Sequence, residues 1–433
     1  MKKLWLIWFA AFLILSSCGS TMYSLDGIPL ETEETVPAER QTEFWKSLAP
    51  FSYTAEETSG PAERILYTEE SPIAARSSDA GTLSLNLNGL PYRYDEQTGN
   101  LVCLHTDPVC QHGGGECPFD MATSGFREHN GCVYFTAWEI PDPDEPLSLL
   151  NPSTGKEKAD RVWNMDSMSV KTIRRRPFGV TCSVAVYDGE DRYVYDISYR
   201  EDDRQEIWTL LRQNLKTGRT EILEESEGQP PLLVAVRNGV FLWLDSNYEI
   251  LYRSEADALL DRREVCRGVR EGNIFAERDR IWFSADNGEE LGLVSYRWAD
   301  GATEFLSLPG FTDSAIFRES YDMTDRYVYY LSGQERTVTV KAKDGRNETS
   351  ILSPGRLVRL DRETGEVEDI LVLDSELAGV SLNDFVISGH YLYAPLCFVE
   401  NETYYGLGGS HILRIDLNDR SRVVIAAPDL NEG

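Results

Sequence analysis

A recurring hairpin limits the architecture of this chain more than any other feature. It reads as apolar–polar alternation, a turn holding Thr-Gly, Asp-Gly or a similar polar pair, and alternation again. Copies stand at residues 92–104 (YRYDEQTGNLVCL), 148–158 (SLLNPSTGKEK), 211–223, 250–265, 294–306, 358–371 (VRLDRETGEVEDIL) and 412–425. Glycine supplies the positive φ that a tight reversal between antiparallel strands needs. A second unit, a turn followed by an aromatic strand, alternates with the first. It appears as HNGCVYFTAW (129–138), EDRYVYDISY (190–199), RNGVFLWLD (237–245), ERDRIWFSAD (277–286), TDRYVYYLSG (324–333) and SGHYLYAPLC (388–397). Two strands are not stable alone, so each unit demands neighbours. Helical periodicity is nearly absent. Self-similarity every roughly 40 to 60 residues, with about four strands per unit, is the signature of a β-propeller.

The expected fold is all-β, a propeller of seven blades, with six or eight as alternatives. Seven hairpins against six aromatic strands predict that the N-terminal strands around 80–104 complete a blade begun by the C-terminal ones. Such a clasp leaves no open edge. Two tandem β-sandwiches compete with this reading and require a linker near the middle, but the repeats run straight through residues 200 to 260. The hairpins also resemble those of TolB-like and related propellers of exported bacterial proteins, over most of residues 80–425. The resemblance implies the fold and leaves the activity open, since propellers host enzymes, receptors and scaffolds alike.

The first residues, MKKLWLIWFAAFLILSSCGS, place two lysines before an apolar run from Leu4 to Leu15. That length suits a signal peptide and falls short of the roughly 20 apolar residues of a membrane span. Leu15-Ser16-Ser17-Cys18 resembles the lipobox of bacterial lipoproteins, which implies a fatty-acylated Cys18 (palmitate or a similar chain) as the mature N-terminus. The expected organisation is a signal peptide over 1–18, a flexible tether rich in Glu, Thr and Pro over 19–65, and one propeller over 66–433. The protein is then held at the cell membrane by its lipid anchor and faces outside the cytoplasm. A formal net charge of −30 argues against a nucleic-acid partner, because phosphate binding needs clustered Lys and Arg. The one basic cluster, Arg174-Arg175-Arg176 before Pro177, reads as a solvated turn.

The stretch NLVCLHTDPVCQHGGGECPF carries Cys103, Cys110 and Cys117 at even spacing, with His105 and His112 interleaved. It resembles a segment common to uncharacterised lipoproteins of anaerobic Firmicutes, matched at Cys103, Pro108, Cys110, His112 and Cys117. That resemblance implies an anchored propeller and no established activity. Read for chemistry, Cys103, Cys110, His112 and Cys117 make a Cys3His set for a structural zinc. Export favours disulfides instead, and Cys132 would bring the nearby cysteines to four, enough for two bridges. Free thiols are the third reading. Cys182, Cys266 and Cys397 lie in apolar strands and read as buried small residues.

No nucleophile elbow, zinc-protease helix or phosphate-binding glycine loop is present in the sequence. Ser284-Ala285-Asp286-Asn287-Gly288 resembles the start of a sialidase-type Asp box, but Glu290 and Leu291 replace its Thr and Trp. It reads as a loop between strands. The leading functional expectation is a non-catalytic binding or scaffold protein for a protein, peptide or glycan ligand. A propeller glycoside hydrolase or lyase is the first alternative, and a metal- or redox-linked role of the Cys–His stretch the second.

Overall fold

The structure, a computed structural model, describes residues 49–50, 63–66, 73–76, 82–87, 90–103, 122–129, 132–138, 158–164, 169–176, 180–182, 185–199, 205–270, 272–311, 321–341, 345–373, 377–382, 384–400, 403–406 and 411–426. Every regular element among them is a strand. Seven antiparallel meanders follow one another, with strands spanning residues 73–103, 122–176, 181–227, 232–267, 274–307, 321–372 and 386–426, here called the first to seventh sheets. In the third sheet the first strand is broken into Thr181–Cys182 and Val186–Asp188, both paired with Asp191–Tyr199.

Burial grades across each sheet. The second strands Val240–Leu244 and Tyr327–Ser332 are almost wholly buried, while the fourth strands Val367–Val372 and Arg422–Ala426 are mostly exposed. First strands touch one another from sheet to sheet. Ile73–Arg76 meets Ala122–His129, Val186–Asp188 meets Leu232–Arg237, and Tyr321–Met323 meets Val386–Ser388. Ile73–Arg76 also meets Val386–Ser388 of the last sheet. Radial sheets with their first strands at a common axis, and first and last in contact, form a β-propeller.

The ring closes differently from the sequence expectation. The strands around 80–104 do not complete the C-terminal sheet. They form their own sheet with Ile73–Arg76, and residues 386–426 supply all four strands of the seventh. The miscount has a plain cause: the second strand of the first sheet, Thr82–Leu87, is TLSLNL and carries no aromatic residue. Its buried face is made by Leu85 and Leu87 instead. First and seventh sheets are joined by packing. Leu85, Tyr92 and Tyr94 share one apolar cluster with Val133, Phe135 and Trp163 of the second sheet and Tyr393, Ile412 and Ile425 of the seventh. At the same seam Arg414 donates to the Tyr94 hydroxyl at 2.7 Å, and Tyr94 meets Tyr393 edge to face.

Two further corrections concern individual segments. The hairpin expected at 148–158 is displaced: the third and fourth strands of the second sheet are Lys158–Asn164 and Ser169–Arg176. Within the tether expected over 19–65, Ala49–Pro50 pairs in parallel with Thr303–Ser307, and Glu63–Leu66 pairs antiparallel with Ile274–Ala276. The fifth sheet, with edges open on both sides, takes these segments as extra strands.

Candidate functional site

The meander topology sorts the connections between strands onto two faces. Turns joining first to second and third to fourth strands share one face; the remaining connections share the other. On the turn face one kind of turn recurs. At Asp361 the side-chain Oδ1 accepts from the backbone of Glu363 and Thr364, and the Thr364 hydroxyl accepts from Glu366 N–H at 3.2 Å. Gly365 then donates back to the Asp361 carbonyl at 2.8 Å from a φ of 74°. The same closing bond recurs at Gly99, Gly218, Gly301 and Arg420. Neighbouring turns are stitched alike, by Leu215 N–H to Glu190, Trp298 to Asp279, Arg362 to Arg326 and Leu417 to His390 carbonyls.

The opposite face carries two inserted hairpins. Arg336–Lys341 pairs with Asn347–Leu352, and Cys397–Glu400 pairs with Thr403–Gly406 and Val380–Ser381. The inserts are tied together. Arg336 donates to the carbonyls of Ser353 at 2.9 Å, Ala378 at 2.6 Å and Val380. Ser353 N–H reaches the Ser381 hydroxyl at 3.0 Å, and Leu382 N–H reaches the Ser353 hydroxyl at 2.8 Å. Burial lowers the Arg336 pKa from its usual value.

Of the Cys–His stretch, only Cys103 is among the described residues. Cys103 ends the strand Leu101–Cys103, opposite Tyr92, and the connection re-enters at Ala122. Cys110, His112 and Cys117, like His105 and Cys18, lie outside the described residues. Cys132 opens its strand on the turn face, opposite His129, and its Sγ accepts from Asn164 Nδ2 at 3.7 Å. The eight-residue strand Ala122–His129 separates Cys132 from the re-entry point, a length of roughly 25 Å. Cys266 is fully buried, as expected of a small apolar residue, and burial pushes its thiol up to about 12. Among the described residues no group of three or more His, Cys, Asp or Glu converges to hold a metal ion.

What sequence reasoning missed is a buried charge cluster between the second and third sheets. Asp160 receives Arg174 through Nε at 3.1 Å and Nη2 at 2.9 Å, Arg176 at 3.0 Å and Arg192 at 3.0 Å. Arg174 also crosses to Asp196 at 2.7 Å, and Gln213 crosses back to the Ile173 carbonyl at 3.1 Å. The arginines expected in a solvated turn are in a strand, with Arg174 and Arg176 turned into the seam and Arg175 exposed. Burial pushes the Asp160 pKa up, but Arg192, Arg176 and Arg174 together overcome it and hold the carboxyl at about 2. For Asp196 burial wins over Arg174, and its pKa is raised.

A second buried pair sits on the turn face. Arg362 holds both oxygens of Glu277, Trp282 Nε1 donates to Glu277 Oε2 at 2.8 Å, and Arg237 donates to the Glu277 carbonyl at 2.9 Å. One residue, Glu277, thereby joins the fourth sheet through its main-chain carbonyl and the fifth and sixth through its carboxylate. Near the axis Asp322 accepts from Met323 N–H at 2.8 Å and from Ile387 N–H of the next sheet at 2.6 Å. Asp160 and Glu277 are neutralised by their arginines where water is excluded, and Asp322 is satisfied by backbone N–H groups, as buried charges and polar groups must be.

No protein-family model matches the chain, and no curated protein matches it. Solved structures do. It is similar to oligogalacturonate lyase in complex with manganese, at 10% identity and a TM-score of 0.43, covering 80% of this chain and 86% of that one. It is similar to the β-propeller domain of the Trilobed protease from Pyrococcus furiosus, described as having an open velcro topology, at 12% identity and a TM-score of 0.37, covering 70% and 82%. TolB from Acinetobacter baumannii matches at 12% identity and a TM-score of 0.32, covering 81% and 78%.

Proposed function

We propose that this chain is a lipid-anchored, extracytoplasmic propeller of seven blades that works as a non-catalytic binding or scaffold protein, with the loop face as its binding surface. One observation carries the reading. The deeply buried carboxylates Asp160, Glu277 and Asp322 are each engaged by guanidinium or backbone N–H groups that hold neighbouring sheets together. A general acid needs a carboxyl kept protonated near neutral pH beside a reaction space, and Asp160 is held far below that range. The two inserted hairpins stand on one face, and binding surfaces of rigid scaffolds are built from such insertions.

Two measurements test this. Wild type and Cys18→Ala, labelled in cells with a clickable palmitate analogue and fractionated, should differ: label and membrane association in the first, neither in the second. Purified soluble domain, screened against extended peptides and acidic polysaccharides, should bind a ligand without turning it over. Cleavage of a polysaccharide that survives Asp160→Asn and stops on changing a loop-face carboxylate would replace this reading with the glycoside hydrolase or lyase. Metal content and thiol counts of the same preparation separate zinc, disulfide and free thiols at Cys103, Cys110, His112 and Cys117.

A further inference from the structure

The strand Glu63–Leu66 stands where no sequence pattern places one. It pairs with Ile274–Ala276, Glu63 opposite Ala276, Arg64 opposite Phe275 and Leu66 opposite Ile274. Ile274–Ala276 is the first strand of the fifth sheet, and its other edge is taken by Arg280–Asp286. Because first strands meet around the ring axis, Glu63–Leu66 occupies the axial side. Among the described residues, the first strands of the first, second, fourth, sixth and seventh sheets pair only with their own second strands. Antiparallel to a first strand, Glu63–Leu66 runs from the turn face toward the loop face, and the chain then enters Ile73–Arg76, itself axial.

The pairing is short and irregular. It spans four residues, and its register shifts between Arg64 and Leu66. Short strands with an irregular ladder hold few hydrogen bonds and exchange readily, whereas an open strand edge accepts any extended backbone in the right direction. The upstream segment Ala49–Pro50 pairs with the outer strand of the same sheet, so that sheet carries an N-terminal segment at each edge.

We propose that Glu63–Leu66 is a displaceable occupant of the axial edge of Ile274–Ala276, and that the vacated edge takes an extended peptide by strand addition. This rests on the binding-protein reading and adds a second binding place, the axial edge, with its own ligand class. Recognition comes through the main-chain ladder, so it depends on an extended conformation before it depends on side-chain identity.

The test uses the full chain. Glu63→Cys with Ala276→Cys, mildly oxidised and mapped by mass spectrometry, should form the 63–276 disulfide, while Glu63→Cys with Ser388→Cys, on the axial strand of the seventh sheet, should not. A fluorescein-labelled peptide of residues 61–68 should bind the Arg64→Pro/Leu66→Pro variant at least tenfold tighter than wild type. It should not bind the oxidised 63–276 form, and should regain wild-type binding on reduction. Absence of the 63–276 disulfide overturns the in-cis occupant. Equal peptide binding to oxidised and reduced forms, or no binding to the reduced form and the proline variant, overturns the acceptor edge. The oxidised–reduced comparison stands even if the proline variant fails to fold. Lipid anchoring and ligand capture on the loop face do not depend on either outcome, so the two readings fail separately.

Discussion

Asp160 and Asp196 both bond Arg174, yet the seam tunes the two carboxylates in opposite directions. Asp160 is held at about 2. Its contribution to stability is therefore fully present above the ordinary carboxylate pKa and is lost as pH falls from about 4 toward 2. Asp196 is raised by burial, so the folded state takes up its proton more readily than the unfolded chain. Its contribution is present at low pH and is lost as pH rises past the ordinary carboxylate value. Once ionised, the buried Asp196 weighs against the fold. Two expectations follow for urea denaturation at pH 7. Asp160→Asn should cost about 3–5 kcal/mol, because three arginines lose their buried partner. Asp196→Asn should leave the midpoint unchanged or raise it, and a clear drop would contradict the assignment. None of this was legible in the sequence. Arg174-Arg175-Arg176 reads as a solvated turn because the carboxylates that bury two of the three come from other strands, one of them in the next sheet.

At the scale of elements, the turn chemistry was legible and its partners were not. A Thr-Gly pair after Asp or Asn implies a glycine at positive φ, and the structure places Gly99, Gly218 and Gly365 there. The seventh sheet uses Arg420 at φ 63° in the same position, a conformation that costs a side chain roughly 1–2 kcal/mol. Arg420→Gly should therefore stabilise by about 1 kcal/mol, read as a rise in the thermal midpoint. Glycines elsewhere answer to space. A Cβ at Gly292, in the strand Leu291–Arg297, would lie 2.3 Å from the Leu306 carbonyl oxygen. Gly292→Ala should destabilise more than Gly365→Ala, whose Cβ would meet nothing within 4 Å and pays for conformation alone. Two elements escaped the sequence pattern because they lack its markers. Thr82–Leu87 has leucines in place of aromatics, and the sequence between Asn164 and Ser169 is MDSM, without glycine. A Thr-Gly pair at 154–155 therefore drew the hairpin to the wrong place.

At the scale of the molecule, the apolar core is a horseshoe. Clusters join third to fourth, fourth to fifth, fifth to sixth and sixth to seventh sheets, and one more joins seventh, first and second. Among the described residues no apolar cluster joins second to third; that seam is held by the Asp160 charges and the His129, Tyr134 and Tyr187 rings. The polypeptide is continuous where the apolar core is interrupted, and the core is continuous where the polypeptide begins and ends. Burial of apolar surface is the larger stabilising term, and buried ion pairs contribute little net. The ring should then yield first between second and third sheets and last between seventh and first. Native-state hydrogen exchange measured strand by strand tests this most directly. The account predicts that Leu90–Asp95 and Tyr391–Pro395 exchange among the slowest, while Ser169–Arg176 and Asp191–Tyr199 exchange early and faster still in Asp160→Asn. Early, joint exchange of the first and seventh sheets, with the second–third seam protected, would contradict it.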